Sequence, residues 1–197
     1  MKKKTCYLFV FEGFADYETS LAAAGIRNSN DYELKTIGIR KDPLRAMSGM
    51  TIIPDIDFMP DTDLDDIDAS NTGMLILPGG EAWEQGRNEP ITPLVAHCLL
   101  YGIPVAGICG ATLFLAELGL LNRTVHTSNS IAYLSACSAV YRGQGLYRAM
   151  PSVRSGHIIT ANGTAAVEFA QDIFDALSIS ADRRVNDWFQ YFQPQVA

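Results

Sequence analysis

Apolar residues fall into two kinds of block along the chain. Thr5–Phe11, Met74–Leu77 and Pro104–Ile108 are apolar at consecutive positions, as strands buried on both faces are. Asp16–Asn28, Ile91–Tyr101 and Cys109–Leu118 instead read as helices. Asp16 is a candidate cap of the first, Thr92 and Pro93 open the second before Gly102, and Gly119 closes the third. Tyr32–Ile39 and Met50–Ile56 read as further strands, separated by a turn with Pro43 and Gly49. Later, LYRAMPSVRSGHIITANG (146–163) predicts a strand pair and Ala165–Leu177 an amphipathic helix. Strands alternating with helices predict a doubly wound three-layer α/β/α sandwich: a mostly parallel sheet, a late β-hairpin and a C-terminal helix. One domain is expected over residues 1–197, with its core in 5–177 and a tail at 181–197.

Composition narrows the partners. With 197 residues, 48% of them hydrophobic and 19% charged, the chain can bury a sizeable core. A formal charge of −7 argues against nucleic acid or an anionic membrane as partner. The acidic run Pro54–Asp68 reads as a solvated loop rather than a metal site, because no histidine or glycine-turn pattern accompanies it. Three lysines precede the apolar run Tyr7–Phe11, but Glu12 interrupts it and no small-residue cleavage site follows. No segment approaches the ~18 apolar residues of a spanning helix, so a cytoplasmic location is expected. Cys6, Cys98, Cys109 and Cys137 have no CxxC spacing, which disfavours both zinc and a disulfide framework. Neither a dinucleotide-binding glycine pattern nor a phosphate-binding loop occurs, and no cofactor or metal is expected.

Chemistry concentrates at strand ends, where open α/β sheets form their sites. Cys109 stands between the apolar run VAGI and the helical run GATLFLAEL. A strand–turn–helix elbow there would lift its sulfur above the sheet, and the helix N-terminus would favour thiolate over thiol. The Gly110 N–H could serve an oxyanion, as could those of Gly79 and Gly80 in LILPGG. Each feature also has a plain reading: a small core residue at a crowded junction, or a tight turn. Glu12 and Glu18 follow the first strand, and Trp83 follows the diglycine, either walling a pocket or packing on the sheet.

EGFADYE, LILPGG, GICGAT and ITANGTAAVEFAQDIFDAL occur together and in this order. In this the chain resembles the ThiJ/PfpI superfamily over roughly Thr5–Leu177. That group includes deglycases, intracellular peptidase-like enzymes and isocyanide hydratases, and is related to class I glutamine amidotransferases. The resemblance implies a flavodoxin-like sheet, with Cys109 as the reactive elbow cysteine. Glu18 matches the glutamate that, protonated, donates a hydrogen bond to the sulfur. Asp16 reads as a helix cap, although an acid near this position matters in hydratase-like members.

The chain also departs from the pattern of the group it resembles. Peptidase-like members place histidine directly after the cysteine, where this chain has Gly110, and no histidine here is followed by x-Glu as in the amidotransferases. Protease and glutamine-hydrolysing chemistry are therefore disfavoured. His126 is the remaining base candidate, in the region where deglycase-like members carry a histidine, with Asn129 as the alternative occupant. His97 and His157 read as structural or exposed. The resemblance implies a cysteine-dependent enzyme acting on a small carbonyl- or amide-like substrate by hydrolase, glyoxalase-like or hydratase-like chemistry. The alternative is a non-enzymatic stress sensor or chaperone that reports peroxide through oxidation of Cys109. A homodimer is also implied; Trp188, Phe189, Tyr191 and Phe192 would cover a partner or dock on their own chain.

Overall fold

Consecutive apolar residues become the interior strands of a seven-stranded sheet. The computed structural model describes residues 2–58, 64 and 67–193. Most of the central part of the acidic run, residues 59–63 and 65–66, lies outside the described residues, as do residues 194–197. The elements are β1 (Lys4–Phe9), α1 (Asp16–Asn28), β2 (Tyr32–Gly38), β3 (Leu44–Arg45), β4 (Thr51–Ile52), β5 (Ile56–Asp57), β6 (Thr72–Leu77) and α2 (Thr92–Leu100). There follow β7 (Val105–Ile108), α3 (Gly110–Glu117), α4 (Ile131–Cys137), β8 (Ser152–Ser155), β9 (Ile158–Ala161), α5 (Ala166–Ala176) and α6 (Arg183–Phe189). The sheet runs β5-β2-β1-β6-β7-β9-β8, parallel except for the β8–β9 hairpin. Every residue of β6, β7 and β9 is buried, which is why these strands show no alternation. Helices flank the sheet: α1 packs on α5 and α6, α2 on β6 and β7, and α3 on β7 and α4.

Two local expectations change. The run Met50–Ile56 is not one strand. Its first part pairs antiparallel with β3 as a small hairpin, and its last residue opens β5 beside β2. Pro54, with no N–H to donate, divides them. Asp16 is not a cap either, since Ala15 holds the N-cap position without a side-chain bond. The Asp16 carboxylate instead accepts from the Ser48 N–H (3.1 Å) and hydroxyl (2.5 Å), tying α1 to the β3–β4 hairpin. Of the tail aromatics, Phe189 docks on its own chain, buried edge-on against Phe174 with ring centroids 4.9 Å apart, whereas Tyr191 and Phe192 are exposed.

Candidate active site

The strand order makes the ends of β1, β6, β7 and β9 neighbours, and their loops surround one sulfur. Cys109 is the hinge between β7 and α3, with φ 57° and ψ −123°. A non-glycine residue rarely adopts this conformation, and holding it costs about 1–3 kcal/mol. The surroundings hold it from both sides. The Cys109 N–H donates to the Ala161 carbonyl (3.0 Å), and its own carbonyl accepts from the Thr112 N–H (3.1 Å) and hydroxyl (2.6 Å). That use of the Thr112 proton makes Ser128 the donor in the 2.6 Å hydroxyl pair between them. The chain 127–130 is thereby fastened to the elbow, and Asn129 is carried to the sulfur.

Two groups flank the Cys109 sulfur. Asn129 Nδ2 donates to Sγ at 3.4 Å. Its Oδ1 accepts from the Gly163 N–H at 2.9 Å, which fixes the amide with its N–H face toward the sulfur. Glu18, only 1% exposed, lies beside the Cys109 thiol, and its carboxylate accepts from the Gly79 N–H at 2.8 Å. Glycine is required on both walls. A Cβ at Gly79 would lie 2.5 Å from Glu18 Oε2 and 2.7 Å from Cys109 Cβ, and one at Gly163 would lie 2.9 Å from Sγ.

The electrostatics run against the expectation of an ordinary low-pKa thiol. Burial pushes Cys109 up to about 11, the Glu18 charge adds to this, and Asn129 and the Gly110 N–H act in the opposite direction. Burial also raises Glu18 above the usual carboxylate range, opposed by the Gly79 N–H and by Cys109. Two acids in contact thus resist carrying two charges, and they release their protons as a pair. The α3 N-terminus and the Asn129 amide favour negative charge on sulfur within that pair. The other thiols differ: burial raises Cys6 strongly and Cys98 to about 12, and Cys137 is exposed at the end of α4.

The remaining expected residues sort themselves by contact. Gly79 spends its N–H on Glu18, so it is not an oxyanion donor; the Gly80 N–H has no acceptor among the described residues. Gly110 packs under Trp83, where a Cβ would lie 3.0 Å from the Gly80 carbonyl oxygen and 3.1 Å from the indole. Trp83 itself is 3% exposed, donates from Nε1 to the Pro78 carbonyl at 2.7 Å, and packs against Phe9, Phe11 and Phe114. It is a wall of the core beneath the elbow. Glu12 is exposed and accepts from the Arg45 N–H at 2.8 Å, away from the sulfur. His126 is fully buried, its Nδ1 bonded to the Thr124 carbonyl and its Nε2 to the Tyr141 hydroxyl, both at 2.7 Å. Both ring nitrogens are thereby occupied, and the place beside Cys109 belongs to Asn129. Sequence reasoning missed Glu84, which accepts from the Tyr133 hydroxyl close to Gly110. Their separation of 49 positions leaves no periodic signal.

Comparison with known proteins agrees with this architecture. The DJ-1/PfpI family profile matches residues 4–176. The uncharacterized protease YoaZ of Bacillus subtilis (strain 168) is 32% identical over 99% of this chain and 93% of its own. The DJ-1 superfamily protein Atu0886 from Agrobacterium tumefaciens superposes with a TM-score of 0.84 at 31% identity, covering 96% of this chain and 97% of that one. A thiJ/pfpI family protein from Bacillus anthracis gives 0.85 at 29% identity, over 100% and 93% of the two chains. By fold, by matched residues and by overall identity, the chain belongs to the DJ-1/PfpI family.

Proposed function

We propose that the protein is a cysteine-dependent enzyme acting on a small carbonyl- or amide-like electrophile. The observation that carries this is the buried Glu18 carboxyl beside the Cys109 thiol, with Asn129 locked as a donor on the same sulfur. In the reactive form the pair holds one proton, on Glu18, and one negative charge, on Sγ. Sulfur adds to the carbonyl carbon, the C–S bond forms, and the carbonyl π electrons move to oxygen. The Gly80 N–H faces no competing acceptor and serves the oxyanion, and the Glu18 carboxyl gives up its proton to it. With an aldehyde this yields a hemithioacetal; with an amide, a tetrahedral adduct. Glu18 carries every proton in this scheme, because His126 is bound elsewhere and Gly110 supplies no side chain.

Curated relatives are named proteases, but Gly110 and the occupied His126 favour small electrophiles over peptides. The test is turnover of a 2-oxoaldehyde such as phenylglyoxal, and of short amides, by the wild type and by Cys109→Ser and Glu18→Gln. Loss of turnover in Cys109→Ser with the fold intact supports the proposal. No turnover of either class, together with selective peroxide oxidation of Cys109, would transfer the site to oxidation sensing. The family context adds a homodimer, read by sedimentation velocity.

A further inference from the structure

A second cleft, of about 320 Å³, opens on the carboxyl edge of the sheet where β1 and β2 end. The volume suits a metabolite-sized ligand. Its position beside the strand-order reversal between β1 and β6 is where open α/β sheets seat ligands. Cys109, Glu18 and Asn129 take no part in its lining. Phe11 does, and that ring meets Trp83 edge-on at 5.5 Å, so an aromatic pair stands between the cleft and the elbow.

The cleft combines apolar walls with donors. Val10, Phe11, Ile39 and Leu44 supply the walls, and Arg40, Arg87 and Asn88 are the cationic and amide groups among them. Neither arginine is in an ion pair among the described residues. Asn88 is 2% exposed, and its Nδ2 has no hydrogen-bond partner among the described residues. A buried amide nitrogen without an acceptor is uncommon and destabilising. Two carboxylates also line the cleft. They are Asp42 and Glu12, and Glu12 is turned to the hairpin by its bond to the Arg45 N–H.

We propose that this cleft binds a small organic carboxylate with a compact apolar body, its anion held by Arg40 and Arg87. Guanidinium groups recognise carboxylates with paired, charge-assisted hydrogen bonds. The apolar walls take the rest of the molecule. This assignment is independent of the chemistry at Cys109.

The test uses isocaproate as probe, titrated into the full-length protein by calorimetry and ligand-observed NMR. Saturable binding to one site is expected, unchanged in Cys109→Ser and weakened about tenfold or more in Arg87→Ala and in Arg40→Ala. Both arginines are exposed, so these variants keep the fold, and circular dichroism checks that they do. Isocaproamide, the neutral isostere, is expected to bind at least about tenfold more weakly. Equal affinity for acid and amide overturns the proposal, as does absence of binding at about 10 mM. Binding that alkylation of Cys109 blocks while Arg87→Ala leaves it intact overturns it too, by moving the anion to the thiol site.

Discussion

At the scale of the residue, the site is a contest over one proton. Burial and the neighbouring carboxylate raise the Cys109 thiol, and burial raises Glu18. Glu18→Gln removes the charge and keeps a donor facing sulfur. The midpoint of iodoacetamide alkylation at Cys109, resolved by mass spectrometry, is therefore expected to fall below that of the wild type. A midpoint that stays or rises would sink the coupled pair. Asn129→Leu takes away the locked donor, and alkylation at fixed pH is expected to slow about tenfold. Stability should show the same coupling. The folded protein holds the Glu18 proton above the ordinary carboxylate pKa of 4.5, where the unfolded chain has released it. Stability contributed by Glu18 thus falls as pH rises from 4.5 through the raised folded value. Glu18→Gln escapes this loss, and its melting temperature is expected to gain on the wild type as pH rises across that window.

At the scale of the element, loops decide what the strands only place. His126 is held neutral by burial, against the pull of the Thr124 carbonyl and with the help of Arg148. The unfolded chain binds a proton near pH 6.5 that the folded one refuses, so stability falls as pH drops below that value. His126→Asn is expected to flatten this acid loss in melts recorded across it. Tyr141→Phe leaves Nε2 without its partner and should cost about 1–3 kcal/mol at neutral pH, measured by urea denaturation. The choice between His126 and Asn129 was not legible beforehand, because both sit in a stretch with no periodicity. It is made by long-range bonds: the Thr127 N–H to Thr160 Oγ1, and the Ser128–Thr112 hydroxyl pair. The elbow was legible, since a continuous apolar strand running into Cys-Gly leaves few other ways to turn. Strands β3 and β4, of two residues each, carry too short a pattern to read.

At the scale of the whole molecule, alternation of buried strands and helices is enough to foresee the sheet, its parallel sense and the late hairpin. The way the helices close on each other is less visible. A Cβ on Gly25 would overlap the Phe174 ring, so this glycine lets α1 approach α5, and Phe189 of α6 then seals Phe174 from outside. Removing that seal is expected to be severe: Phe189→Ala should lower unfolding free energy by about 3–5 kcal/mol, measured by denaturant titration. Little change would mean that α6 does not stay on the fold. Among the described residues no helix is long and apolar enough to cross a membrane.

The fit of Trp83 over Gly110 has a meaning for descent as well as for packing. A lineage reaching histidine-assisted chemistry from this sequence meets resistance at position 110, because a Cβ there crowds the indole and the Gly80 carbonyl, and each must give by a few tenths of an ångström. The indole gives only by shifting against Phe9, Phe11 and Phe114. Two chemistries on one fold are thus separated by a toll in packing, and the tryptophan sets its size.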